Sequence, residues 1–321
     1  MKNTAIAICL LLANTAVPAQ PISAVDANKT TVTIKETATR IIALSPHLTE
    51  LVYAAGAGSK LVGVSEYSDY PPEARNLPTV SNFSGINVER VAALKPDLVL
   101  VWQSGIRPEW VAQLKKLGIP VFADEPQSFD DIARTIEAIG EFANTRLQAH
   151  LGAELMRKRA ALLKLENARK AKVKVFYQIS ENPLLTINDN HFISRALALC
   201  GAENVFGKVP IYVPTVSRES VLAANPDAII VGSDAARSPK PATFWHEIRG
   251  LRAAKLGTIT AVNGALLHRQ TPRALDETEH LCREVDRVRV RLGWVVSGER
   301  SGKQPRGEVQ SFSESLIGTG F

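Results

Sequence analysis

The chain has 321 residues, with 38 Lys and Arg against 32 Asp and Glu, a formal net charge of +6, 45% hydrophobic and 22% charged residues. This ordinary globular composition excludes collagen, coiled coil and wholesale disorder. The charge surplus is too diffuse to argue for a nucleic-acid partner, and three Cys exclude a disulfide-dense scaffold and a four-cysteine zinc site.

Residues 1–19 read as a cleavable signal peptide. Lys2 supplies the basic start, the apolar run Ala5–Ala13 is too short to span a bilayer, and Val17-Pro18-Ala19 sets short residues before a cut at Gln20. Arg40–Leu44 is then a buried strand closed by Ser45-Pro46. Leu48–Ala57 has helical spacing and stops at Gly56 and Gly58, where a helix C-cap belongs. Lys60–Val64 is a strand, Val88–Leu94 a helix, Leu98–Trp102 a strand, Pro108–Leu117 a helix and Ile119–Ala123 a strand. Strands alternating with short helices mean βαβ units and a parallel sheet.

Ser128 with Asp131 resembles a capping box that opens a helix over Phe129–Phe142. A longer helix follows over about Thr145–Lys170. Leu147, Leu151, Leu155 and Leu162 keep one of its faces apolar, and that face is expected to pack on the protein. The βα pattern then restarts. Val173–Gln178, Ala228–Val231 and Ile259–Val262 are strands; Phe192–Leu199, Glu219–Ala224 and Ala274–Leu292 are helices. Ser297–Phe321, rich in Ser and Gly, reads as a disordered tail.

The two halves repeat each other. Glu89, Val91, Ala93, Pro96, Asp97, Val99 and Val101 recur 130 residues later as Glu219, Val221, Ala223, Pro226, Asp227, Ile229 and Val231, without a gap. The organisation is therefore α/β: a lobe over 38–142, a bridging helix over 143–171 and a second lobe over 172–296, with a cleft between the lobes.

Catalytic signatures are missing. The chain has no Gly-x-Gly-x-x-Gly, Walker lysine loop, Gly-x-Ser-x-Gly or His-Glu-x-x-His, and its six His stand apart without metal-ligand spacing. His47, at the C-terminal end of the first strand, reads as a ligand contact or as a plain loop histidine. Tyr67, Phe83 and Trp102 fall in or just after first-lobe βα connections, with Tyr212 and Trp245 at comparable places in the second. Such rings serve a core or a large flat ligand, which they bury while freezing few torsions. Glu89 and Glu219 each open a helix capped by Asn87 or Ser217. They are helix-dipole partners, or two matched charges for basic residues of a two-fold partner. Cys200 and Cys282, the pair left after signal removal, form one disulfide or two buried thiols.

The run Ser45-Pro46-His47-Leu48-Thr49-Glu50, the run Gly63 to Pro72 with Ser68-Asp69-Tyr70-Pro71-Pro72, Asn87-Val88-Glu89-Arg90, Leu94 to Val99, Cys200 to Asn204 and Val216-Ser217-Arg218-Glu219 resemble one family. It is the class III, helical-backbone solute-binding proteins, and among them the cobalamin-binding proteins of vitamin B12 ABC importers. The resemblance spans about residues 38–293. It implies two Rossmann-like lobes with parallel sheets on one rigid helix, a periplasmic location and cobalamin lying flat in the cleft. It also implies a monomer that delivers cargo to a permease dimer with its ATPase subunits, needing no cofactor of its own. Tyr67, Phe83, Trp102 and Arg269 then contact the ligand, Glu89 and Glu219 dock on permease arginines, and Cys200 pairs with Cys282; His47, where members vary, and Tyr212, beside Val213, are further candidate contacts. Two positions depart from closely similar members: Val213 stands where an aromatic is expected and Ala265 where an acidic contact is expected. Haem or a ferric siderophore in the same fold, and a secreted enzyme with an interlobe active site, are the competing readings.

Overall fold

The computed structural model describes residues 20–233 and 243–294; the expected signal peptide and the expected tail lie outside the described residues. The strands are β1 (Ile22–Val25), β2 (Thr31–Ile34), β3 (Ile41–Ala43), β4 (Leu61–Ser65), β5 (Thr79–Asn82), β6 (Gly85–Ile86), β7 (Leu98–Trp102), β8 (Val121–Asp124), β9 (Val173–Gln178), β10 (Ala202–Asn204), β11 (Ala228–Ser233) and β12 (Ile259–Asn263). The helices are α1 (Pro46–Ala54), α2 (Val88–Ala93), α3 (Pro108–Lys116), α4 (Phe129–Ala143), α5 (Arg146–Asn167), α6 (Phe192–Leu199), α7 (Arg218–Ala224), α8 (Arg252–Leu256), α9 (Gly264–Leu267) and α10 (Pro272–Arg291).

One lobe holds a six-stranded sheet in the order β6-β5-β4-β3-β7-β8, parallel except for β6. The other holds a parallel four-stranded sheet, β10-β9-β11-β12. Strand order reverses between β3 and β7 in the first and between β9 and β11 in the second. A crevice opens at the C-terminal strand ends of such switch points. The hairpin β1–β2, with Val32 and Ile34 buried, is an element the sequence reading left unassigned.

The 130-residue repeat has a structural cause. Asp97 accepts the N–H groups of Thr39 (2.7 Å) and Arg40 (3.0 Å), and its own N–H donates to Arg40 O. Asp227 does the same to Lys174, at 2.9 and 2.8 Å. Each Pro-Asp turn thus sets the start of one central strand against its neighbour. Lys95 and Asn225, in register, both take positive φ to make the turn.

α4 returns from the crevice side to the side where strands begin. There Phe142 O accepts the N–H of Ala38, just before β3. α5 starts from that point and ends beside Val173, the first residue of β9. The bridging helix therefore starts beside the strand beginnings of one lobe and ends beside those of the other, passing the first turns of α4 and α6 between. Arg157 ties it to α4 through Asp130 and Glu137, and Arg159 ties it to α10 through Asp276 and Glu279.

The leucine face of α5 does not pack on the protein, contrary to the expectation from its spacing. Leu147, Leu151, Leu155, Leu162 and Leu165 are 73%, 60%, 61%, 56% and 73% exposed. The buried face is instead Ala149, Ala153 and Met156. The reason is close helix approach: a Cβ on Gly140 of α4 would stand 2.3 Å from the Ala149 Cβ, so only small residues fit there. α4 presses its own bulk, Phe129, Ile132, Ile136, Ile139 and Phe142, into the core.

Cys200 and Cys282 are bonded, linking the end of α6 to α10. Closing a loop with a sequence separation of 82 stabilises by about 4 kcal/mol in the chain-entropy model. Replacing both by Ser is expected to lower the urea-unfolding free energy by about 2–4 kcal/mol. A midpoint unchanged by the substitutions would show that the bond carries no stability.

Candidate functional site

Side chains gather at the C-terminal strand ends where the two lobes meet. Glu50, on α1 and 4% exposed, accepts from Arg273 Nε at 2.9 Å and pairs with its Nη2 as well. Arg269 reaches Asp69 at 2.5 Å and Glu50 at 3.4 Å. Arg273 also lies over the Tyr70 ring at 3.8 Å from its centroid. The hydrogen bond from Arg269 holds the Asp69 carboxyl below its ordinary range. Burial opposes the charge on Arg269, but Asp69 and Glu50 outweigh it and raise its pKa. Arg269, expected to contact ligand, bridges the two lobes. A second bridge runs from Arg195 of α6 to Gln127 at 3.2 Å.

The predicted aromatic residues divide into rim and support. Tyr67 is 63% exposed and sits at φ +63, an uncommon conformation for a bulky residue. Its loop is pinned by the buried Ser68, whose hydroxyl bonds Thr49 at 3.0 Å and Ser65 at 3.2 Å. Phe83 is 92% exposed at the tip of the β5–β6 hairpin, where Asn82 accepts from Ser84 N and Gly85 N. Trp102 ends β7 half-buried, with an indole N–H that has no acceptor among the described residues. An unpaired buried donor costs about 1–3 kcal/mol.

His47 is not open to the cleft. It is 5% exposed in the first turn of α1, with Nδ1 3.0 Å from Ser45 Oγ and Nε2 3.2 Å from Asp124. Asp124 in turn accepts from Thr135 at 2.6 Å. The His47 ring meets Trp102 edge-on, with centroids 5.9 Å apart. The ring stands in support of Trp102, and the reading as a plain loop residue is corrected: His47 is a buried helix residue. Trp245 is likewise core: it is fully buried, and its N–H donates to Gln178 at 2.6 Å.

Tyr212 and its neighbour Ile211 are 43% and 62% exposed. Burial and then the charge of Glu125 raise the Tyr212 pKa. Tyr212 lies against His191, with centroids 4.8 Å apart. His191 caps α6 by accepting from Ile193 N at 3.1 Å. His268 stands 3.4 Å from Tyr177 Oη. The sequence reading passed over His191, His268, Glu50 and Arg273; the signal available for Arg273 was its place beside Pro272, opening a helix. Val213 and Ala265 are half-buried and add no aromatic or acidic group.

Glu89 and Glu219 are both exposed in helix first turns. Asn87 accepts from Arg90 N at 2.9 Å, and Ser217 exchanges hydrogen bonds with Ser220. The Glu219 carboxyl is held below its usual range by its backbone N–H and then by Ser217. Among the described residues, no three or more His, Cys, Asp or Glu side chains converge as a metal site.

Burial pushes His191 down from 6.5 to about 4. The folded protein keeps that ring neutral while the unfolded chain begins to protonate near 6.5. Stability present at neutral pH is therefore lost as pH falls from 6.5 to about 4, by about 3 kcal/mol at most. His191→Asn, which retains a cap acceptor, is expected to flatten urea-unfolding stability over that window. An unchanged pH slope would contradict this origin.

The periplasmic binding protein family matches residues 41–253. A vitamin B12-binding protein of Vibrio cholerae is 38% identical over 245 residues, 76% of this chain and 88% of that one. One from Yersinia pestis is 37% identical over 250 residues, 78% of this chain and 87% of that one. The crystal structure of the periplasmic vitamin B12-binding protein BtuF of Vibrio cholerae superposes with a TM-score of 0.72 at 37% identity, covering 78% of this chain and 98% of that one. The periplasmic heme-binding protein HutB of Vibrio cholerae superposes at 0.68 with 21% identity, covering 77% and 98%, and shares the fold alone. The two parallel-sheet lobes on one helix and these matches agree: the chain belongs to the periplasmic binding protein family.

Proposed function

We propose that this chain captures cobalamin, a corrinoid, in the interlobe cleft and delivers it to the permease of an ABC importer. The observation that carries the reading is identity of 37–38%, over more than three quarters of the chain, with vitamin B12-binding proteins. The geometry supports it. Tyr67, Phe83 and Tyr212 offer exposed rings around the crevice, and Trp102 backs them. Rings of this kind cover a large planar macrocycle, and a few polar groups such as Gln103, Gln127 and Glu125 suit its amide fringe. Haem is the weaker reading. It asks for an axial His or Tyr; His47 is enclosed by Ser45, Asp124 and Trp102, which leaves the exposed Tyr67 for that place, and the heme-binding neighbour is only 21% identical.

No bond is made or broken in this function, and members of this family bind solutes. Cobalamin is cargo, its cobalt included; no resident cofactor is proposed. Residues 1–19 act as the export signal, and the chain works in the periplasm. Glu89 and Glu219 present one carboxylate per lobe, suited to two basic residues on a two-fold permease dimer with ATPase subunits. Exposed charges of this kind give register and encounter rate more than affinity.

Calorimetric titration with cyanocobalamin is expected to give one-to-one binding, with haemin and a ferric siderophore inert. Tight haemin binding without cobalamin binding would reject the corrinoid. Tyr67→Ala with Trp102→Ala is expected to weaken cobalamin binding at least tenfold, and wild-type affinity would remove these rings from the site. Glu89→Ala with Glu219→Ala should leave binding intact and abolish cobalamin-dependent growth. Normal growth would exclude the docking role.

A further inference from the structure

We propose that His191, held against Tyr212, is the second lobe's hydrogen-bond donor to the cargo: its Nε2–H meets an amide carbonyl on the corrin fringe. The proposal rests on the reading of cobalamin as cargo.

The position of His191 follows from the fold. α6 opens at the crevice end of β9 and closes just before β10, whose first residue pairs with Val173 at the other end of β9. His191 stands immediately before the first turn of α6, where that turn meets the first lobe. Phe192 packs edge-on against Phe129, with centroids 5.0 Å apart, and Arg195, one turn on, is the donor to Gln127. His191 is half-buried there, and Tyr212 beside it is exposed.

The pair is held in place from below. The buried Asn188 ties the loop that carries His191 to the loop that carries Tyr212. Its backbone N–H donates to Tyr212 O at 3.2 Å, and its Nδ2 donates to Val209 O at 3.1 Å. Its Oδ1 accepts from Asn190 N at 3.0 Å, and its backbone O accepts from His191 N at 3.2 Å. A buried amide with all its groups bonded orients what stands on it. Val213 and Ala265 add neither ring nor charge, so the His191–Tyr212 pair supplies the polar face here.

The cap decides the chemistry. Nδ1 accepts from Ile193 N and so carries no proton; in the neutral ring the proton sits on Nε2. Burial keeps the ring neutral. Among the described residues Nε2 meets no acceptor. A protonated nitrogen offers no lone pair to cobalt, so His191 is a donor and not an axial ligand. An uncharged N–H suits a neutral carbonyl, whereas a phosphate draws Arg and Lys. A corrin carries amide carbonyls around its edge, and cobalamin has one phosphate, in its nucleotide loop.

Calorimetry on His191→Asn is the test. Asparagine keeps a cap acceptor and places no donor where Nε2 stood. Affinity for cyanocobalamin should fall about tenfold. Affinity for dicyanocobinamide, which keeps the ring amides and lacks the nucleotide phosphate, should fall by the same factor. His191→Ser, another good cap, should repeat the loss with an unchanged circular dichroism melt. Bound aquocobalamin should show the same visible bands in all three proteins. Wild-type affinity in both variants overturns the proposal. A loss with cyanocobalamin but not with dicyanocobinamide would move the contact to the phosphate. A band shift of bound aquocobalamin that the variants abolish would make the imidazole a cobalt ligand. Either result also overturns it. Wild-type protein that binds no corrinoid rejects the cargo itself and this proposal with it, a failure distinct from wild-type binding that the variants share.

Discussion

The carboxylate of Glu50 is buried in one lobe, and the guanidinium groups that neutralise it belong to the other. A buried charge robbed of its partner costs several kcal/mol. Arg269 and Arg273 therefore cannot leave Glu50 without either admitting water or stranding it. This requirement fixes the distance between the lobes at the edge of the crevice. Asp69 and Tyr70 extend the clamp onto the loop that carries Tyr67, so lobe spacing and the position of a rim aromatic are set together. Arg159 and Lys170, bonded to α10, hold the second lobe to the bridging helix.

Polar residues at the crevice work in layers. Tyr67, Phe83 and Tyr212 are exposed; His47, Asp124, Thr135, Ser45, Ser65, Ser68 and Thr49 are buried and hydrogen-bonded beneath them. Fully satisfied networks of this kind orient what stands on them. The result is a preformed surface of rings with the local strain confined to one residue, Tyr67, at positive φ.

Much of this was legible in the chain because it is local. Pro96-Asp97 and Pro226-Asp227 announce the same strand-locking turn twice. Asn87, Ser128 and Ser217 cap the helices they were expected to cap. β9, α6 and β7 keep their predicted ends, since apolar runs and breakers coincide there. What escaped is non-local or rests on packing. Glu50 and Arg273 are 223 residues apart, and nothing in either neighbourhood points to the other. The leucine spacing of α5 is a true apolar stripe, but the side that packs was decided by Gly140 opposite Ala149. β1, β2, β6 and β10 are two to four residues long, too short for a period to register. His47 and Trp245 carry chemistry in their names, yet their hydrogen bonds place them beneath the surface.

The central claim is that a corrinoid lies between the lobes, against Tyr67, Trp102 and Tyr212. A crystal structure of the protein with cyanocobalamin tests it most directly. The account predicts the corrin ring in the crevice, within van der Waals distance of those rings, with Glu50 still bound by Arg269 and Arg273. A corrin bound elsewhere, or one that displaces both arginines from Glu50, would contradict it.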